Sequence, residues 1–353
     1  MSDTVQTDAA PLISVVILNY NGAKWIERCL LSLRQQTVFQ RIEVIVADNR
    51  SSDGSDLLAE KLLGEWTNGR FVQNGLNLGF CEGNNRGALP ATGQYLFFLN
   101  NDTWLEPDCL EVLLRETERM KADAATPLVM NFDDDSFQAL GASGFDIFGL
   151  ASSRIEHADT REVLMPEGCS FLIRRSLFDT LGKFDAEFFM FGDELDLAWR
   201  LWIAGGRAVA VPSSRMHHRG APNVNPRGGG AVVEMRTSDT KRFYANRNSL
   251  LIILKNAKNI LLLLAVLMAA LFLAEALVMW LLIRRWSFVR RAYLGAFADC
   301  WRLRHHVRAE RRRVRQFRRR SDWWMLRFFR LRFNRWYEIN RLRQLGVPKV
   351  TAN

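Results

Sequence analysis

SVVILNYNGAKWIERCLLSLRQQ, residues 14–36, decides the architecture of this chain. Its opening SVVILNY (14–20) is a short run of aliphatic residues, the pattern of a buried strand. KWIERCLLSLRQQ (24–36) then spaces its apolar residues as an amphipathic helix does. The unit recurs. IEVIVADN (42–49) reads as a second strand, SDLLAEKLLGEW (55–66) as a second helix and RFVQN (70–74) as a third strand. CEGNNRGALPAT (81–92) spans a helical segment, and QYLFFLNND (94–102) reads as a fourth strand. Strands alternating with helices predict a mostly parallel α/β sheet covered on both faces. Three of these strands end in polar clusters: Asn19–Tyr20–Asn21, Asp48–Asn49 and Asn100–Asn101–Asp102. Open α/β sheets bind ligands beyond the carboxyl ends of their strands, so three such clusters predict one shared site.

Charge is unevenly spread. Residues 284–353 carry 21 Lys and Arg against 4 Asp and Glu, a balance of +17, which leaves −7 for residues 1–283 of a chain at +10. The body is mildly acidic and the tail strongly basic. Five scattered cysteines, Cys29, Cys81, Cys109, Cys169 and Cys300, form no CxxC pair, which argues against a disulfide framework or a zinc site. The first apolar run follows Asp3 and Asp8 without a basic region, so no secretory signal is expected.

ILLLLAVLMAALFLAEALVMWLLI (260–283) carries one charge, Glu275, and at 1.5 Å per residue reaches about 36 Å, enough to cross a bilayer. From Trp280 onward, RAERRRVRQFRRR (308–320) and six of the chain's eleven tryptophans suit an interfacial helix beside anionic lipid rather than nucleic acid. MHHRGAPNVNPRGGG (216–230) reads as a loop at the edge of the site. The expected division is a flexible 1–11, a catalytic domain 12–245, a linker and apolar helix 246–283, and a basic amphipathic tail 284–353.

FFMFGDELDLAWR (188–200) places Asp193, Glu194 and Asp196 within one turn, flanked by apolar side chains. Carboxylates held against apolar walls gain proton affinity and become candidates for a general base. The same residues also suit the first turn of a helix, where the dipole favours acids.

Taken in order, SVVILNYNG, VADNRSSDGS, NLGFCEGNNRG, FFLNND, the acidic stretch, VPSSRMHH and YANRNSLLIILK resemble glycosyltransferase family 2, over about residues 12–255. Within it, the chain resembles the rhamnosyltransferase-like branch of bacterial surface polysaccharide synthesis. The resemblance implies a GT-A fold, α/β and Rossmann-like with helices on both faces, followed by a membrane-associated helical region. It implies an inverting transfer of one sugar, plausibly rhamnose from dTDP-rhamnose, to a lipid-linked or polysaccharide acceptor at the cytoplasmic face of a bacterial inner membrane. The competing reading is a non-catalytic nucleotide-sugar-binding scaffold. A processive synthase is disfavoured, because no QxxRW motif is present.

The resemblance also assigns residues. Asp48 would accept the imide N–H of a pyrimidine base, with Asp53 for base or ribose contact and Tyr20 against the ring. Asn77, Asn85 and Arg86 would shape the diphosphate pocket. Asn100 stands where the family's metal motif usually has its first carboxylate, so Asp102 would carry most of the ligation of Mn²⁺ or Mg²⁺. His217 would complete the metal site, with His218 as the alternative. Glu194 is the expected base and Asp193 the second choice, since the order Asp193-Glu194 swaps the family's usual pair. Gly168 and the segment GCSFLIRR would line the acceptor side. A nucleotide-diphosphate sugar, a divalent cation and an anionic membrane surface are the implied cofactor and partners, and the C-terminal helices would allow a homodimer.

Overall fold

The computed structural model describes residues 11–153, 157–220 and 235–351. The expected loop at 216–230 thus falls largely outside the described residues, as does most of the N-terminal segment 1–11.

Strands β1 (Ile13–Asn19), β2 (Ile42–Asp48), β3 (Gly69–Gln73) and β4 (Tyr95–Asn100) run parallel in the order β3–β2–β1–β4. Alternation sends Val16, Leu96 and Phe98 into one core and Val15, Ile17, Phe97 and Leu99 into another. Both faces are therefore dry, which is why these strands read as continuous apolar runs. Helices α1 (Ile26–Arg34) and α2 (Ser55–Gly64) cover the second core, and α3 (Gly79–Gly87) covers the first. A Cβ on Gly87 would lie 2.7 Å from Val16, so α3 sits on the sheet through its glycines.

Beyond β4 the sheet becomes mixed. Short β5 (Thr103–Leu105) leads to α4 (Cys109–Arg119), then to β6 (Ala124–Asn131) and β7 (Phe137–Ala139). A hairpin of β8 (Ala142–Phe145) and β9 (Ala151–Ser153) precedes β10 (Arg161–Glu162) and β11 (Ser170–Arg174). After α5 (Arg175–Leu181) and α6 (Asp193–Ile203) comes β12 (Ala208–His218). β11 inserts antiparallel between β4 and β6, and β12 runs parallel to β6.

The remaining described chain is almost all helical: α7 (Asp239–Asn256), α8 (Leu263–Ile283), α9 (Trp286–Val289), α10 (Gly295–Arg302), α11 (Arg304–Phe317), α12 (Asp322–Met325) and α13 (Arg335–Leu345). Two short strands, β13 (Arg236–Thr237) and β14 (Lys349–Val350), pair in parallel. Residues 260–283 form one helix long and apolar enough to cross a membrane, by length and composition. One face of α8, Leu264, Met268, Phe272, Ala276 and Met279, is buried in the first core. The opposite face is bare: Val266, Leu273, Leu277 and Leu281 are 53–67% exposed.

The basic tail also makes contacts that its sequence does not announce. Several of its arginines are turned inward onto helix C-termini, whose last carbonyls lack partners within the helix. Arg311 donates to Leu254 and Ala257 O at 2.5 and 2.7 Å, and Arg318 to Asn256 O, closing α7. Arg320 donates to Gly205 and Gly206 O at 2.8 Å beyond α6, and Arg313 to Leu181 O of α5.

A buried charge network joins these helices. Asp196 is fully buried and accepts from Arg200 Nε and Nη2 at 3.0 and 2.6 Å, from Asn256 Nδ2 at 2.8 Å and from Lys255 at 3.2 Å. Lys255 also meets Asp185, which pairs with His306 Nε2 at 2.9 Å. Burial pushes Asp196 up, but Arg200 and Lys255 outweigh it and hold the carboxyl below its ordinary value. Breaking such a pair strands the remaining charges in a dry interior. Asp196→Ala is expected to cost about 3–5 kcal/mol, read as a lowered midpoint in denaturant unfolding; an unchanged midpoint would refute the network's structural role.

Candidate active site

The strand ends converge on Asn19. Its Nδ2 donates to Asp48 Oδ2 at 2.8 Å and to Ser55 Oγ at 2.9 Å, and its Oδ1 accepts from Asn101 Nδ2 at 2.7 Å. Gly22 closes this hub, since a Cβ there would lie 2.1 Å from Asn101 Nδ2. Asp48 departs from its expected role. It is fully buried, with Oδ1 accepting from Ser51 N and Gln73 Nε2 and Oδ2 from Asn19 and Ser51 Oγ. Its carboxylate holds the floor together and has no exposed edge to offer a base. Exposed Tyr20 stands at the lip. Asp53 is exposed, and its Oδ2 accepts from Ala23 N at 2.9 Å while Oδ1 takes Ser55 Oγ at 2.6 Å, tying the loop after β1 to the start of α2.

The NLGFCEGNNRG segment also divides. Asn77 Oδ1 accepts from Gly79 N and from Asn49, bracing the entry to α3. Asn85 exchanges two bonds with the backbone of Phe184, at 2.9 and 3.0 Å. Arg86 pairs with Glu82 on the helix surface at 3.0 Å. Asn85 and Arg86 therefore serve packing and a surface pair rather than the expected diphosphate pocket. Arg174 pairs with Asp123 and Tyr95, and Arg175 caps Gly93 O, so both are structural.

His218, not His217, lies beside Asp102. Successive side chains of a strand point to opposite faces. His217 stacks on Trp104 at 3.6 Å and contacts Glu106 at 3.0 Å. His218 Nε2 is 3.3 Å from Asp102 Oδ1 and 3.5 Å from Asn100 Nδ2. Gln138 fixes the ring's tautomer. Its Nε2 donates to Asn131 Oδ1 and His218 O, so its Oε1, 2.7 Å from His218 Nδ1, accepts the ring proton. Nε2 faces the Asp102 carboxylate: burial lowers the proton affinity of His218, but Cys169 and Asp102 raise it well above the ordinary value, so Nε2 carries a proton toward Asp102 that a shared cation would replace. No group of three or more His, Cys, Asp or Glu is placed for a metal among the described residues. Two protein ligands suit a cation that completes its shell with phosphate and water oxygens.

The acidic turn is held from both sides. Before α6 the backbone passes through Phe189, Phe191 and Gly192, at φ of 60°, 67° and 77°. Asn248 of α7 reaches the carbonyls of Phe188, Met190 and Phe191 at 3.0, 2.8 and 2.7 Å, and Arg247 donates to Glu187 O at 2.5 Å. Phe80 N donates to Phe189 O at 2.6 Å; a Cβ on Gly79 would lie 2.5 Å from the Phe189 ring. Asp193 is buried and Glu194 half-buried, with Gly168 against the Glu194 carboxyl. Burial pushes both acids above the usual carboxylate range, Asp193 well above, and the Glu194 charge raises Asp193 further. Of the two acids, Asp193 is raised the further. Glu194 is thus the accessible member of the pair.

Sequence reasoning missed Asn248, Arg247 and Gln138. The first two stood in the YANRNS motif, where an Asn and an Arg precede an apolar helix run; Gln138 carried no local mark.

Residues 14–182 match the model of Glycosyl transferase family 2. The chain is 27% identical over 273 residues to the N-acetylglucosaminyl-diphospho-decaprenol L-rhamnosyltransferase of Mycobacterium tuberculosis, covering 69% of this chain and 86% of that one. It is 27% identical to the O-antigen biosynthesis protein RfbC of Myxococcus xanthus, over 60% of this chain and 18% of that one. In structure it is similar to GalNAc-T7, crystallised with UDP, GalNAc and Mn²⁺, with a TM-score of 0.56 at 18% identity, covering 72% of this chain and 49% of that one.

The raised proton affinity of Asp193 has a stability consequence. Its folded value exceeds the ordinary 3.8, so the buried charge costs stability once the pH rises above that value, and the cost grows until the pH passes the folded value. Asp193→Asn removes the cost. Its thermal midpoint should exceed wild type at pH 7 and the gain should shrink as the pH falls toward 4. A gain independent of pH would contradict the assignment.

Proposed function

From a chain that carries a glycosyl transferase family 2 domain on a GT-A fold, we propose an inverting glycosyltransferase that moves one sugar from a nucleotide-diphosphate donor to a lipid-linked acceptor in cell-envelope glycan synthesis. The observation that carries it is the clamped Asp193–Glu194 pair: Gly168 lies against the Glu194 carboxyl, and the next residue, Cys169, accepts through its carbonyl from Asn100 N at 3.1 Å, beside His218 and Asp102. The M. tuberculosis relative's name supports rhamnose as the sugar and a diphosphate-linked lipid as the acceptor.

Glu194 takes the proton of the acceptor hydroxyl as that oxygen bonds to the anomeric carbon. The bond from that carbon to the diphosphate oxygen breaks, and the nucleoside diphosphate leaves with the electron pair. Asp193, the acid raised the further, keeps its proton, which avoids two adjacent buried charges. Asn248 holds the loop so that this pair faces the cleft. Asp102 and His218 would hold a divalent cation, Mn²⁺ or Mg²⁺, which when bound neutralises charge on the departing diphosphate. Tyr20, which is exposed, and Asp53 would meet the nucleoside, beside the strand ends that Asp48 and Asn19 tie together. The bare face of α8 supports a protein seated on the cytoplasmic membrane surface, with that face in lipid and the body in the cytosol.

Glu194→Gln is expected to lower kcat by about 10²–10⁴-fold with donor binding retained, measured as nucleotide release over a panel of UDP-, dTDP- and GDP-sugars. Substantial residual turnover would refute Glu194 as base, and a wild-type protein that binds nucleotide sugar but never transfers would favour the scaffold reading. Gln138→Ala, which frees the His218 ring, should raise the Mn²⁺ concentration for half-maximal transfer by about 10–100-fold. An unchanged Mn²⁺ requirement would remove His218 from the cation site.

A further inference from the structure

The loop that leads into α6 holds more backbone strain than a turn requires. Met190 N donates to Phe188 O at 2.6 Å across Phe189, whose φ of 60° and ψ of −59° make the rare γ-turn of positive φ. Phe191 follows at φ 67° and Gly192 at φ 77°. A bulky side chain disfavours this region, and glycine removes the penalty. Gly192 takes that course. The two phenylalanines do not, so each ring has to compensate for its own strain.

Phe189 does so by packing. Its ring stacks on Tyr244 with centroids 5.2 Å apart, and α3 comes so near that a Cβ on Gly79 would lie 2.5 Å from it. Its carbonyl accepts from Phe80 N and Cys81 N. Phe191 gains nothing comparable. It is 36% exposed, and no aromatic ring stacks on it among the described residues; Lys241 Nζ stands 5.9 Å from its ring centroid. The backbone is nevertheless pinned here, because the Asn248 amide donates to Phe188, Met190 and Phe191 O at 3.0, 2.8 and 2.7 Å. An exposed ring in an unfavourable backbone conformation adds little to folding. Strain of this kind persists where a ligand needs the side chain.

Gly192 is the N-cap of α6, so Phe191 stands immediately before the helix and Glu194 lies in its first turn, three residues on. Asn248 holds that short connection against α7. A flat apolar ring beside a general base suits the C–H face of a pyranose, whose hydroxyls stay free to react. Phenylalanine orders only two side-chain dihedrals in making such a contact. Lys241 sets hydrogen-bond donors beside the same ring. We propose that Phe191 is the platform on which the acceptor's terminal sugar stacks, holding its hydroxyl against Glu194. The assignment rests on the transferase reading and adds the side chain that positions the acceptor.

The test uses the full-length protein in detergent, with binding read by calorimetry. Its probes are farnesyl diphosphate and the same lipid carrying one hexose, deoxyhexose or N-acetylhexosamine. Wild type should bind at least one sugar-bearing probe about tenfold more tightly than the bare lipid. Phe191→Leu keeps an apolar side chain without a flat ring, and Phe191→Gly suits the backbone. Both should lose that gain while binding the bare lipid as wild type does, and Phe191→Tyr should restore it. Thermal midpoints should stay near wild type, since in Phe191→Gly relief of strain offsets the lost apolar contact. In transfer assays the first two variants should raise the acceptor KM about tenfold and leave the donor KM alone. Wild-type affinity for the sugar-bearing probe in both variants would overturn the platform. So would an equal loss for the bare lipid, which would put Phe191 against hydrocarbon, or a raised donor KM with an unchanged acceptor KM. If the binding pattern holds and wild type transfers no sugar, the platform stands and the transferase reading falls.

Discussion

A buried carboxylate needs compensation, and the loop that presents Glu194 depends on how Asp196 obtains it. Asp196 sits one turn into α6, where Arg200, Lys255 and Asn256 surround it. Lys255 and Asn256 end α7, and Lys255 also grips Asp185 at the start of the loop. One charge cluster thus locks α6, α7 and the loop's first residue together. Three and two residues earlier on the same helix, Asp193 and Glu194 receive no such cations among the described residues, and their proton affinity moves the opposite way. The stability contributed by the compensated acid sustains the uncompensated pair, the trade-off expected where function needs an unfavourable charge.

Much of the fold was legible because its signal is periodic. β1 to β4 are buried on both faces and read as apolar runs, and α1 and α2 showed their helical spacing. The acidic turn of α6 was visible as a cluster. Partners distant in sequence were not visible. Asp48 looked like an open strand-end acid, yet Ser51, Gln73 and Asn19 close around it. The choice between His217 and His218 turns on strand parity, and β12 carries an irregularity between Val211 and Arg215 that breaks any count along it. The capping role of the tail was invisible for a different reason. Arg311, Arg313, Arg318 and Arg320 bind backbone carbonyls, which carry no identity in the sequence.

α7 explains why the C-terminal helices cannot be regarded as an appendage. Its YANRNS turn holds the loop before Glu194, and its C-terminal end supplies Lys255. Arg311 and Arg318 from the tail close its last carbonyls. A change in how the tail packs would reach Glu194 through one helix, without crossing the sheet.

The first core runs without interruption from Val16 of β1 to Met279 of α8. Close-packed interiors are stiff, so the height of Glu194 above the bare face of α8 is set by packing and not by a tether. A surface that holds that face therefore acts as a gauge. On the proposed reading, an acceptor rooted in the same surface would meet Glu194 only when its reactive hydroxyl stands at the matching height. Each added sugar would lift the growing end out of range, so a rigid stand-off of this kind would stop the reaction after one addition.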